Sequence, residues 1–268
     1  MSLHEFAVRT VSTASGTVAV EISGEQGPLI VCAPGMGDLR SAYRHLTPIL
    51  VDAGCRVAVI DLPGHGDSQL GATPSQREIA RILADLALEL GGPAIAVGHS
   101  YTPDSALLAT QIAPEVVVGA VAIAPWAAEP AQRGVGVWLA RMVGSSPRLW
   151  SMFMSSLYRQ RPDDLQEHLA RVRANGKRPG GMATIAAMAG GIGKDAIRAR
   201  ATQTAPTVVI MGARDPDFRD PRAEAESFAS DFAADIAMIP GVGHYPHAEA
   251  ADAVAVAILE LVAKSVNA

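Results

Sequence analysis

Aromatic side chains are scarce, at 4% of 268 residues, while alanine and valine abound, so the interior must be built from small aliphatic groups. Neither sign of charge dominates: 22 Lys and Arg face 27 Asp and Glu, for a formal net charge of −5. The cations are scattered, which leaves no electrostatic footprint for a nucleic acid. There is no long hydrophobic run; the longest, roughly Val116 to Ala128, is too short to span a bilayer and carries Pro125 near its end, so no membrane association is expected. The opening Met1-Ser2-Leu3-His4-Glu5-Phe6 lacks the basic-then-apolar pattern of an export signal. There are only two cysteines. Cys32 falls near the end of one predicted strand and Cys55 just before another. At about 3.3 Å per residue, side-by-side parallel strands would hold the thiols about 13 Å apart, beyond the reach of a disulfide. Both are read as reduced core residues of a cytoplasmic protein.

What the chain does have is apolar material, 49% hydrophobic against 18% charged, enough for one large domain with a small insertion. Phe6 to Ser12 and Thr17 to Ser23, separated by Ala14-Ser15-Gly16, predict a hairpin. Leu29–Ala33, Arg56–Ile60, Ala94–Gly98, Val116–Ala124, Thr207–Gly212 and Ile236–Ile239 are short apolar runs of the kind buried on both faces of a parallel sheet. Helical spacing covers Ser41–Ala53, with Gly54 as its stop, and Gln76–Leu90, with Ile79, Ile82, Leu83, Leu86 and Leu90 on one face. Further helices are expected after Pro103, over about Arg222–Phe232 and over Glu249–Lys264. Alternating strands and helices call for a mostly parallel eight-stranded sheet with helices on both faces. Between 126 and 204 the strand signal stops and all three tryptophans appear. That stretch is expected to be a helical cap at the sheet's carboxyl edge, set into a core of residues 1–125 and 205–268.

Chemistry concentrates at Ser100, which follows the strand and Gly98-His99 and precedes the helix opened by Pro103. That is the context of a nucleophile elbow, where a sharp turn lifts the hydroxyl towards a helix N-terminus favourable to developing negative charge. A serine needs a base, and a neutral imidazole suits the task. His244 lies on the loop after the last strand and Asp215 on the loop after the strand before it, so both should emerge at the same edge as Ser100. Asp217 and Asp220 share the Asp215 loop as competing acids, and His247 competes with His244. Asp215 and His244 are favoured by their placement directly after a strand and after Gly243. The His244-x-x-His247 spacing lacks a third metal-ligand candidate. His65 and His99 read as loop-bracing residues, His247 and Glu249 as packing or helix-start residues, and Asp104 as a helix-dipole residue.

Five segments then stand in a telling order: Pro34-Gly35-Met36-Gly37, Asp61-Leu62-Pro63-Gly64-His65-Gly66-Asp67-Ser68, Gly98-His99-Ser100, Gly212-Ala213-Arg214-Asp215-Pro216 and Gly241-Val242-Gly243-His244-Tyr245-Pro246-His247. In these the chain resembles the α/β-hydrolase superfamily, in its serine-nucleophile, esterase-like branch, over nearly its whole length. The order Ser, Asp, His is the order that fold requires. The resemblance implies a triad of Ser100, Asp215 and His244, with an oxyanion hole from the backbone N–H groups of Met36 and Tyr101. Two positions depart from the family pattern: Pro34-Gly35 stands where His-Gly is common, and Thr102 stands where the elbow usually has glycine. A β-branched residue there is expected to push the following helix slightly outward.

The expected function is hydrolysis of a carboxylic ester, thioester or lactone of a small apolar molecule, without metal or organic cofactor. Trp126, Trp138, Met142, Trp150 and Phe153 are the candidate substrate-binding residues. A cofactor-free haloperoxidase or perhydrolase would use the same triad, and a slow-turnover ligand-binding receptor would retain it. Epoxide hydrolases and dehalogenases of this fold attack with a carboxylate, whereas residue 100 is serine. A nucleotide-binding reading would rest on Gly35-Met36-Gly37 alone, without the rest of the fingerprint.

Overall fold

The computed structural model describes residues 7–13, 16–69, 75–128, 144–189 and 200–266. Their eight strands are β1 (Ala7–Thr13), β2 (Gly16–Ser23), β3 (Leu29–Ala33), β4 (Arg56–Ile60), β5 (Ala94–His99), β6 (Val117–Ile123), β7 (Thr207–Gly212) and β8 (Asp235–Ile239). They form one sheet in the order β1-β2-β4-β3-β5-β6-β7-β8. Every pairing from β4 to β8 is parallel, and only β1 and β2 bring antiparallel neighbours. β3, β5 and β7 are buried at every position, which is why their sequences read as unbroken apolar runs. Leu29 pairs with Arg56 and Cys32 with Val59, so Cys55 lies one position before the register starts while Cys32 lies near its end. Both thiols are free and buried, and burial raises the pKa of each.

The helices of the main body are α1 (Leu46–Asp52), α2 (Gln76–Leu90) and α3 (Pro103–Ile112). α2 begins with a capping box: the Ser75 hydroxyl accepts the Glu78 N–H, and the Glu78 carboxylate accepts that of Ser75. Its buried side includes Ile79, Ile82, Leu83 and Leu86, each worth about 1.5–3 kcal/mol when fully removed from water. The helix expected over Ser41–Ala53 is shorter, because only a 3-10 turn, Arg40–Tyr43, precedes α1. Pro48 explains this: within a longer helix its ring would meet the carbonyl of residue 44, whereas near the start of α1 it costs nothing.

The insertion contributes α4 (Pro147–Leu157), α5 (Leu165–Gly176) and α6 (Gly181–Met188). They enclose a second, smaller core of Trp150, Met154, Leu157, Leu165 and Leu169, which rests on Leu39 and Tyr245 of the main body. The chain closes with α7 (Pro221–Ala229), the short α8 (Pro246–Glu249) and α9 (Ala251–Val266). A single helix from Glu249 is therefore not formed: Ala250, at φ −147° and ψ 57°, breaks it. No helix among the described residues is long and apolar enough to cross a membrane.

Candidate active site

The turn from β5 into α3 carries Ser100 in the left-handed region, at φ 56°. A non-glycine residue held there stores of order 1–3 kcal/mol of strain and persists only where its surroundings dictate it. Several bonds do so. The Ser100 N–H donates to Ile123 C=O (2.8 Å) and the Thr102 N–H to His99 C=O (3.1 Å). The Gln76 amide, reaching in from α2, donates to Tyr101 C=O at 2.5 Å. At Gly98 a Cβ would lie 2.2 Å from the Thr102 carbonyl oxygen, so only glycine allows the chain to double back.

Thr102 does not merely take up room. Its side chain is fully buried, its hydroxyl oxygen accepts the His99 N–H (2.9 Å), and the hydroxyl proton has the carbonyls of Ala33 (3.0 Å) and Pro34 (3.2 Å) within reach. The hydroxyl thus fastens the elbow to the loop that follows β3, where glycine would leave a gap.

Asp215 and His244 arrive on loops after β7 and β8 that are laced together. Ala213 N–H donates to Ile239 C=O (2.8 Å) and Arg214 N–H to Val242 C=O (2.9 Å). The loops cross so closely that a Cβ on Gly212 would lie 1.9 Å from the Gly243 oxygen. The result brings together three side chains distant in sequence. His244 Nδ1 lies 2.7 Å from Asp215 Oδ2, and His244 Nε2 lies 3.0 Å from Ser100 Oγ. With the imidazole proton on Nδ1 donated to the carboxylate, the Ser100 hydroxyl donates to Nε2. The other Asp215 oxygen accepts the Asp217 N–H (2.9 Å), which fixes the carboxylate's orientation.

Burial by itself would make His244 less basic, but the Asp215 carboxylate, through its charge and its hydrogen bond, lifts the imidazole pKa from 6.5 to about 9. His99 is the opposite case: burial and the nearby His244 push it down to about 3. It is therefore neutral, and its Nε2–H donates to the His244 carbonyl (2.9 Å). His65 is neutral in the same way, with burial lowering its pKa. Its Nδ1–H donates to Pro63 C=O (3.1 Å) while its Nε2 accepts the Gly37 N–H (3.2 Å). Both histidines brace loops, as expected from the sequence.

The competitors fall away on geometry. Asp220 caps α7, accepting the Ala223 N–H (3.1 Å), and Asp217 accepts the Trp126 indole N–H (3.1 Å). His247 is fully buried, stacked 4.8 Å from Tyr43, and neither ring nitrogen has a hydrogen-bond partner among the described residues. The loop before Met36 packs on the elbow, a Cβ on Gly35 lying 3.2 Å from Ser100 Cβ, and neither the Met36 nor the Tyr101 backbone N–H donates to another backbone group among the described residues. Trp150 is buried, with its indole N–H reaching Gly37 C=O (3.4 Å), and the ring of the more exposed Phe153 lies 5.6 Å away. Trp138 and Met142 lie outside the described residues.

Several residues at the site carry roles that the sequence did not announce. Asp104 is not simply a helix-dipole residue: it is paired with Arg200 in a buried salt bridge. Asp38, two residues beyond Met36, is buried with its carboxylate 3.0 Å from His168 Nε2 on α5. Burial raises the Asp38 pKa, but His168 and the Leu39 N–H outweigh it and hold it below the usual carboxylate value. Phe218 lies 6.1 Å from the His244 ring, an apolar wall beside that imidazole. A single charged or aromatic residue carries no periodic signal of its partner, so only the tertiary structure reveals these contacts.

The model of the alpha/beta hydrolase family matches residues 30–257. The chain belongs to that family. Among α/β hydrolases of known structure, the chain is similar in fold to the enol-lactonase of Burkholderia xenovorans: 17% identity, 95% of this chain and 99% of that chain covered, TM-score 0.77. It is likewise similar to a thermophilic esterase of Thermogutta terrifontis: 21% identity, 97% and 98% covered, TM-score 0.75. In sequence it is similar to epoxide hydrolase A of Mycobacterium tuberculosis, 34% identical over 98 residues. That match takes in 35% of this chain and only 30% of the relative's length.

Proposed function

We propose that this α/β hydrolase is a serine hydrolase that cleaves a carboxylic ester, or a related thioester or lactone, through an acyl-enzyme. The observation that carries this reading is a single imidazole bridging two groups, with Nδ1 2.7 Å from the Asp215 carboxylate and Nε2 3.0 Å from the Ser100 hydroxyl. Ser100 Oγ attacks the substrate carbonyl as its proton passes to His244 Nε2, and Asp215 stabilises the imidazolium that results. The negative charge that develops on the carbonyl oxygen is met by the unengaged N–H groups of Met36 and Tyr101, fixed in place before the reaction. His244 then gives the proton to the leaving alcohol or thiol. A water molecule, deprotonated by the same nitrogen, attacks the acyl-enzyme and releases the acid.

The family relatives named above include a lactonase and an esterase, in keeping with acyl transfer. The epoxide hydrolase likeness favours the fold more than the reaction, because the elbow presents a serine here. The carboxylate nearest after it in sequence, Asp104, is held in a salt bridge with Arg200. Residues 144–189 act in this reading as part of a cap, and Phe218, Met36, Trp126 and the Trp150–Phe153 pair favour an apolar acyl or alcohol group. Turnover of short nitrophenyl esters by the wild type and by Ser100→Ala tests it. Hydrolysis that disappears in the variant supports the proposal, and equal rates would remove it.

A further inference from the structure

Glu249 ends α8, five residues beyond His244, and its carboxylate takes four backbone donors. One oxygen accepts the N–H groups of Arg159 and Gln160 (2.7 Å each) and of Gly243 (3.1 Å); the other accepts that of Tyr245 (3.1 Å). Gly243 and Tyr245 flank His244 on either side. Arg159 and Gln160 belong to the segment that leaves α4. Two more contacts join the same strands of chain: His244 N–H donates to Leu157 C=O (3.1 Å), and the Tyr158 and Tyr245 rings stack 4.3 Å apart at an angle of 4°. One carboxylate therefore ties the loop bearing the imidazole to the inserted helices.

We propose that Glu249 is a positioning residue for hydrolysis, holding the His244 loop against the insertion so that Nε2 stays directed at Ser100. This rests on the reading of Ser100 and His244 given above. A carboxylate is the one side chain with acceptor capacity for four N–H groups and no donor of its own. A glutamine would set an NH2 group against at least one of them, and a donor left facing a donor, even at this part-buried place, loosens the loop. Small displacements matter at this point, because a misplacement of about 1 Å costs a reaction about a hundredfold.

Glu249 also adds a negative charge near His244. The titratable groups around that imidazole are Asp215 and Asp217 on the loop after β7, His247 and Glu249 on α8, His99 at the elbow, and Tyr245 on its own loop. Around Glu249 itself are Tyr158 and, along an adjoining surface groove, His45, Arg161, Asp163 and Asp164. A purely structural clamp would leave the His244 titration where it is; a charged one moves it.

The test compares Glu249→Gln and Glu249→Asp in the full chain, using a short nitrophenyl ester across pH and the NMR titration of the His244 ring. Glu249→Gln is expected to lower kcat about tenfold or more with KM changed less than about twofold, and to move the acid limb and the His244 titration to lower pH. Glu249→Asp, which keeps the charge but not the reach, is expected to lose kcat while keeping the wild-type limb. Wild-type kcat in Glu249→Gln, or a loss confined to KM with an unmoved limb, would overturn the proposal. If Glu249→Gln does not fold, Glu249→Asp decides: lower kcat at constant KM supports the role and wild-type kcat overturns it. A wild type that fails to hydrolyse the ester would undo the functional reading instead, and the His244 NMR titration would still decide on Glu249: a lower midpoint in the variant supports it and an unchanged one refutes it.

Discussion

Arg200 and Asp104 meet fork to fork in the interior, Nε and Nη2 of the guanidinium donating to the two carboxylate oxygens at 2.6 and 2.8 Å across 96 positions of sequence. The same guanidinium donates to the carbonyls of Ala127 (2.6 Å) and Trp126 (2.8 Å) and lies 4.5 Å from the Phe228 ring centre. Trp126 and Ala127 stand where the chain leaves the sheet for the insertion, and Arg200 stands where it returns. Asp104 belongs to the first turn of the helix that follows Ser100. One buried cation thus joins both roots of the insertion to the helix that follows Ser100.

Removing one member of such a pair strands the other in the interior, which typically costs about 3–5 kcal/mol. Arg200→Met should therefore lower the urea midpoint of unfolding strongly, and Asp104→Asn should lower it too. The double variant Asp104→Leu/Arg200→Met should recover a large part of that loss, since no uncompensated charge remains. Equilibrium unfolding of the three variants is the measurement.

Thr102 offers a prediction opposite to the one its sequence context invites. Replacing it by the glycine usual at this place in the family leaves the buried His99 N–H without its acceptor (2.9 Å in the wild type). An unsatisfied buried donor costs about 1–3 kcal/mol. Thr102→Gly and Thr102→Val should both be destabilised by that order, whereas Thr102→Ser, which keeps the hydroxyl, should lie close to the wild type in thermal unfolding.

The His244 shift fixes a direction for the pH dependence. A base must be unprotonated to act, so a pKa raised from 6.5 towards 9 places the acid limb of kcat/KM above 6.5. Asp215→Asn removes the carboxylate that raises it, so the limb should move to lower pH while kcat falls by about 10⁴. The same shift acts on stability: a pKa higher in the folded state favours folding while the imidazole is protonated. That contribution is complete below pH 6.5 and is lost as pH rises through about 9. Unfolding free energies of the wild type and Asp215→Asn should accordingly converge on the alkaline side.

The sequence was most informative where a signal is local. β3, β5 and β7 are apolar at nearly every position because both faces of the sheet are covered, and each lies where its run of aliphatics predicts. Ser100, Asp215 and His244 could be singled out because each stands on the turn or loop that follows a strand, and the ends of parallel strands share an edge. The helix expected from Ser41 failed on Pro48, a local signal that the apolar spacing masked. The remaining features are matters of distance along the chain. Glu249 collects amides of Arg159 and Gln160 from about 90 residues away, and a backbone N–H looks the same at every position of a sequence. Arg200 and Asp104 are ordinary charges until the fold buries them together.

The most direct measurement is labelling of the intact chain with a fluorophosphonate, followed by mass-spectrometric mapping of the modified residue. Such a probe reacts only with a serine whose proton is being taken by a base. Modification at Ser100 alone, abolished by Ser100→Ala and strongly slowed by His244→Ala, is the expected result. A wild-type chain that takes up no label, or takes it up on another serine, would contradict the assignment of Ser100 and His244 as nucleophile and base.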